Sequence, residues 1–239
     1  MIVNYTKDGW AIITQRNHGL IAAALCAHWA QPFEDRWLET IIAVAEHDDA
    51  YNELMNDDVL NDQGGPLNFN MRPFRRDFCE TLLLMALSKS KYIALLISYH
   101  IQFLYDHKSA AAHAYCESLK PLQHAWLKEM NMGRKEGKQR YRLLQWCDAL
   151  SLIICQEQVP PEGRKVDISV GPDDRNYELF TVGNTLSVYP WPFKEKDFSL
   201  PIECRVLTSL VFEDVKAFQK QLKEAPAQVQ MLFFKQHDK

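Results

Sequence analysis

Apolar residues return every three to four positions through most of the first 158 residues, as successive amphipathic helices require. In residues 15–30 the stripe is His18, Ala22, Leu25 and Trp29. Pro32 interrupts it, and Trp37, Ile41 and Val44 then mark a second helix over 35–47. Residues 48–73 are polar and turn-rich, include Gly64-Gly65-Pro66, and read as one long loop. Loops of that length in a compact domain are more often functional than idle. Apolar helices are predicted again at 75–88, 91–106, 110–130 and 135–157, and Pro160-Pro161-Glu162-Gly163 closes the region.

After that the period shortens. Segments 165–170, 177–182, 185–189 and 202–209 are β-branched or alternating, and Val182-Gly183-Asn184-Thr185 has the composition of a tight hairpin turn. An amphipathic helix at 213–224 and a strand at 228–234 complete the chain. The pattern predicts a mainly α fold. A helical, metal-binding domain spans 1–160, and a small antiparallel β-rich appendage with one helix, 161–239, packs on it.

Composition narrows the function classes. Hydrophobic residues make up 47% and charged residues 24% of 239, enough apolar material for a substantial core. The net charge of −4 argues against broad nucleic-acid or anionic-membrane binding. No apolar run approaches the roughly 20 residues that a bilayer requires, and the opening MIVNYTKDGW lacks the basic-then-apolar order of a leader. The six cysteines form no CxxC pair and read as reduced core thiols. The expectation is a cytoplasmic protein without nucleic-acid or membrane partners, for which a homo-oligomer stays open.

The chemistry-bearing residues interrupt the apolar stripes. His18 points inward with Ala22, Leu25 and Trp29, and Asp148 lies on the stripe of Leu144 and Leu152. A buried carboxylate needs a cation, a donor network or a proton. Arg142 or Ser151 would satisfy Asp148 without a metal, as a backbone carbonyl would satisfy His18. Adjacent helix positions diverge by about 100°, so His47 and Asp48 reach one ion only near a helix end, which is where they fall. Two imidazoles and two carboxylates, His18, His47, Asp48 and Asp148, suit a divalent Fe, Mn, Zn, Ni or Co ion. His100, on the stripe of Ile93 and Leu96, is a supporting base, substrate contact or ligand of an optional second ion.

This order resembles the H…HD…D pattern of HD-domain metal-dependent phosphohydrolases, which implies an HD-like helical bundle with one or two divalent ions in its core. The continuation Ile-Gly-Lys, common in cyclic-dinucleotide phosphodiesterases of that kind, is missing after Asp48. A narrower likeness, over nearly the whole chain, is to the bacterial domain of unknown function 3891. It rests on Gln15-Arg16-Asn17-His18, Glu46-His47-Asp48-Asp49-Ala50-Tyr51, Gly64-Gly65-Pro66-Leu67-Asn68-Phe69, Ser98-Tyr99-His100, Cys147 to Leu152 and Tyr189-Pro190-Trp191-Pro192-Phe193.

The expected activity is hydrolysis of a small phosphorylated compound or nucleotide, with Asp48 and His100 as catalytic groups. A non-catalytic metal-stabilised sensing or scaffolding domain is the alternative, and a di-iron oxygenase ranks below it. Asp49, Glu53 and Arg72 are candidate substrate contacts. Arg72, Arg75 and Arg76 around Pro73-Phe74 offer phosphate-matching guanidinium groups, against the simpler reading of a solvated helix start.

Overall fold

The computed structural model describes residues 1–237. A hairpin of β1 (Ile2–Thr6) and β2 (Gly9–Ile13) leads into α1 (Gln15–Ala27) and α2 (Trp37–Ala45). A long loop carries one 3-10 turn, Phe69–Met71, and is followed by α3 (Arg76–Leu87), α4 (Lys91–Tyr105), α5 (Ala110–Glu129) and α6 (Arg134–Cys155). Then come β3 (Val166–Val170), β4 (Asn176–Val182), β5 (Thr185–Tyr189), β6 (Asp197–Leu207), α7 (Val215–Glu224) and β7 (Ala227–Lys235).

The expectation of a mainly α bundle with a small C-terminal β appendage is overturned. Helices account for 44% of the chain, and one seven-stranded mixed sheet, curled as a half-barrel, takes strands from both ends of the sequence. Its order is β1-β2-β6-β7-β5-β4-β3. All pairings are antiparallel except β5 with β7, where Leu186 faces Phe234. The N-terminal hairpin is what the apolar periodicity missed. Its strands are five residues each, too short to declare a period. Their role is long-range: Trp10 and Ile12 pair with Leu207 and Arg205, so β2 covers an edge of the 11-residue β6 that would otherwise be open to other chains.

The helix starts follow from local chemistry. Thr14, Ser90, Ser109 and Asp214 each accept a backbone N–H three residues ahead, satisfying donors that the first turns of α1, α4, α5 and α7 leave free. Every residue of α4 from Tyr92 to Ile101 is buried, so this helix is enclosed on all sides and forms the axis of the helical layer. α2, α3, α5 and α6 pack around it.

α6 joins that layer to the sheet. The wholly buried Trp146 lies edge-on to Trp29, ring centres 5.0 Å apart, and against Tyr177 and Phe193 of the sheet side. Truncating such an indole costs about 3–5 kcal/mol. Asp148, two residues on, is rotated by about 200° and faces the other helices. The segment Tyr189 to Phe193 therefore docks the sheet on the helices: Ala30 donates to the Pro192 carbonyl at 2.8 Å, and Lys194 to that of His28 at 2.9 Å. Among the described residues no helix is long and apolar enough to cross a membrane.

Candidate metal centre

Four elements bring the polar residues together. His18 sits in the first turn of α1, its N–H bonded to the Thr14 carbonyl at 3.0 Å. His47 and Asp48 follow the end of α2, where the chain leaves helical geometry. His100 lies near the end of α4, and Asp148 in the middle of α6. His18, His47 and His100 are at most 1% exposed and Asp148 is 5% exposed.

His18 Nε2, His47 Nε2 and Asp148 Oδ1 form a small triangle. Its edges are 3.2 Å between the imidazoles, 3.0 Å from His18 to Asp148 and 3.2 Å from His47 to Asp148. The outer ring nitrogens decide what these atoms are. His47 Nδ1 lies 2.7 Å from the Val44 carbonyl, which only accepts, so Nδ1 carries the proton. Ser151 donates to the Asp148 backbone carbonyl at 2.9 Å, leaving its oxygen to accept from His18 Nδ1 at 3.0 Å. With a proton on each Nδ1, both rings turn Nε2 toward the carboxylate and toward each other, so that in the neutral state two lone pairs and a carboxylate oxygen converge.

Three converging acceptors in a dry site require a cation. Ligands about 2.1 Å from one ion and at right angles are about 3.0 Å apart, so the triangle suits an ion that takes octahedral ligands, such as Fe²⁺ or Mn²⁺, more closely than a tetrahedral one. A proton does the same work less completely. Burial opposes charge on His47, but Asp48, Asp148 and the Val44 carbonyl outweigh it and push its pKa up to about 9. Burial likewise raises Asp148, yet the facing imidazoles overcome it and hold the carboxyl well below its usual range. The metal-free alternatives for Asp148 are not realised. Arg142 pairs with Asp174 instead, and Ser151 bonds the backbone of Asp148 rather than its carboxylate.

A family model described as "Protein of unknown function (DUF3891)" matches residues 1–209. The chain belongs to this family. No curated protein and no solved structure matches it. In this family member the matched span holds His18, His47, Asp48, His100 and Asp148, and ends just after β6.

Asp48 stands apart from the triangle. Its Oδ2 is 3.7 Å from His47 Nε2 and accepts from Gln15 Nε2 at 2.6 Å. It groups with His47 and His100 as a second set of metal-ligand type that shares His47 with the first. Burial is the main cause that pushes the His100 pKa down to about 4, so this ring is neutral at physiological pH. A third set, Asp106, His113 and Glu117, is largely exposed and is explained by the 2.8 Å pair of Asp106 with His113.

A cleft of 320 Å³ opens onto the centre. Asp48, Asp148, His100 and Gln15 line its inner part, while Tyr51, Phe69, Phe103 and Tyr105 supply aromatic walls, with Arg72, His107 and Lys108 also lining it. The other residues singled out from sequence lie elsewhere. Asp49 faces Arg16 at 3.7 Å. Glu53, 2% exposed, binds the Met1 ammonium at 2.7 Å and the Gln15 N–H at 3.2 Å. Arg75 pairs with Asp77 and Arg76 with Glu80 on the surface. Gly64, at φ +77°, abuts the Phe212 backbone rather than the cleft.

Sequence reasoning gave no role to Gln15, Tyr51, Tyr105 or Lys108. Gln15 was detectable: it lies one helical turn before His18 and so shares its face.

Proposed function

We propose that the chain is a metal-dependent hydrolase of a small phosphorylated compound, with the site chemistry of the HD superfamily. The observation that carries this reading is the triangle of His18 Nε2, His47 Nε2 and Asp148 Oδ1, in which two imidazoles oriented through their Nδ1 atoms converge on one carboxylate oxygen. The order His, His-Asp, Asp along the chain supports the HD relationship. A divalent ion held there supplies an acidified water and a Lewis acid for a phosphoryl oxygen.

The chain's own groups do the rest. Ser151 and the Val44 carbonyl fix the orientation of the two imidazoles, as partners behind metal ligands do. Gln15 steadies the Asp48 carboxylate at the inner end of the cleft. His100, kept neutral by burial, offers a lone pair for a proton or for a second ion. The six unpaired cysteines suit a reducing cytoplasm.

The test is metal analysis of protein purified without chelators or a nickel column, followed by a panel of phosphomonoesters and phosphodiesters. Wild type should carry at least one ion per chain and turn over part of the panel, and His47→Ala and Asp48→Ala should abolish turnover with the fold retained. Stoichiometric metal with no turnover anywhere on the panel counts against the reading. A second reading, a di-iron oxygenase, draws on the two ligand sets that share His47. Two irons per chain, with spectra that change on exposure of the reduced protein to oxygen, would favour it.

A further inference from the structure

Arg72 is the unusual cation of the cleft. Its guanidinium carbon lies 4.4 Å from the centre of the Tyr51 ring, while Nε and Nη1 are buried without a hydrogen-bond partner among the described residues. The neighbouring arginines pair with carboxylates; among the described residues Arg72 has none. Buried guanidinium N–H groups left without an acceptor call for one from outside the chain. The Tyr51 and Tyr105 hydroxyls meet at 3.0 Å beside it, and since one donates to the other, one O–H remains for a ligand.

Two further observations define that ligand. Asp48 and Asp148 line the same cleft, so an anion there is repelled until a divalent cation is seated. The walls of Phe69, Phe103 and Tyr105 are aromatic, and 320 Å³ is at the small end for ligand cavities, room for a ring but not for an oligomer. Phe103 is held 48% exposed, an apolar ring left in reach of a ligand.

Building on the hydrolase reading, we propose that Arg72, seated on Tyr51, is the anion-recognising group of this cleft, and that the ligand it selects is a phosphate monoester bearing a single apolar ring. Anion binding depends on the metal, Arg72 sets affinity for the phosphate, and Phe103 sets the preference for the ring.

The experiment uses methylphosphonate and phenylphosphonate, monoester mimics with no scissile ester bond, and calorimetric titration with and without Mn²⁺ or Zn²⁺. Both should bind only with metal, the phenyl compound about tenfold or more tighter because its ring is buried. Arg72→Gln should weaken both by about tenfold, the loss expected for a charged hydrogen bond. Phe103→Ala, at an exposed position, should narrow the phenyl-over-methyl gap alone. Unchanged binding in Arg72→Gln, equal affinities for the two compounds, or no binding with either metal overturns the proposal. Selective binding with no turnover of phenyl phosphate or of any member of the phosphoester panel counts against the hydrolase reading and leaves this site standing. Hydrolysis with an unchanged KM in Arg72→Gln does the reverse.

Discussion

His18 and His47 aim their Nε2 atoms at each other across 3.2 Å, although each ring has already committed its Nδ1 proton to another partner. Two lone pairs in that position, with the Asp148 carboxylate completing the triangle, cannot hydrogen-bond one another. A cation seated between them would turn a mutual repulsion into a shared attraction, so the proposed metal binding would be linked to folding at this point.

Metal should therefore stabilise the protein measurably. An ion at about 100 times its Kd adds ~2.7 kcal/mol, which for a chain of this size raises Tm by roughly 5–11 °C. Scanning calorimetry with and without a chelator checks this. The gain should vanish in Asp148→Asn, and a variant that keeps the full wild-type shift would rule out the triangle as the binding site.

Metal binding should also expel a proton. With its pKa pushed up to about 9, His47 is charged in the metal-free protein at pH 7.5, whereas His100, at about 4, is already neutral. Titration in two non-coordinating buffers of different ionisation enthalpy should give about one proton released per ion, falling toward zero above pH 9. A raised folded-state pKa favours the metal-free fold fully below the ordinary value of 6.5, and that contribution is lost as pH climbs to about 9. The stabilisation gained from metal should thus grow over the same window.

Ser151→Ala removes the acceptor of the His18 Nδ1 proton without touching a predicted ligand. Loss of such an orienting partner costs about 10–100-fold in metal affinity, against only about 1 kcal/mol of stability. Competition with a chromophoric chelator measures the first and denaturant unfolding the second. Equal metal affinity in the two proteins would show that His18 is oriented by packing alone.

Much of the centre was legible because long helices advertise themselves. The apolar period of α4 and α6 runs for several turns, so His100 and Asp148 stand out as polar interruptions. The β1–β2 hairpin did not, because its reason for existing is β6, nearly 200 residues later in the chain. The three arginines around Pro73-Phe74 looked alike, yet the distinction was written nearby. Asp77 follows Arg75 by two residues and Glu80 follows Arg76 by four, whereas the cleft is what faces Arg72. The separation of Asp48 from the triangle was not readable, since it depends on a hydrogen bond from Gln15 that spans two elements.

Gly19 explains why the imidazoles meet at all, and it supplies the most demanding prediction. A Cβ built on Gly19 would lie 2.3 Å from the Ala45 carbonyl oxygen, closer than any real contact, so α1 and α2 cross at a distance only glycine permits. His18 is the residue beside that crossing on α1, and His47 follows two residues after Ala45. Gly19→Ala must push the helices apart, and overpacking of this kind costs about 1–3 kcal/mol or more. The same displacement opens the 3.2 Å separation between the rings, so metal affinity should fall together with Tm. Gly133→Ala, where nothing lies within 4 Å of the added carbon, should leave metal affinity unchanged. If Gly19→Ala keeps both wild-type Tm and wild-type metal affinity, the helix crossing does not set the geometry of the centre.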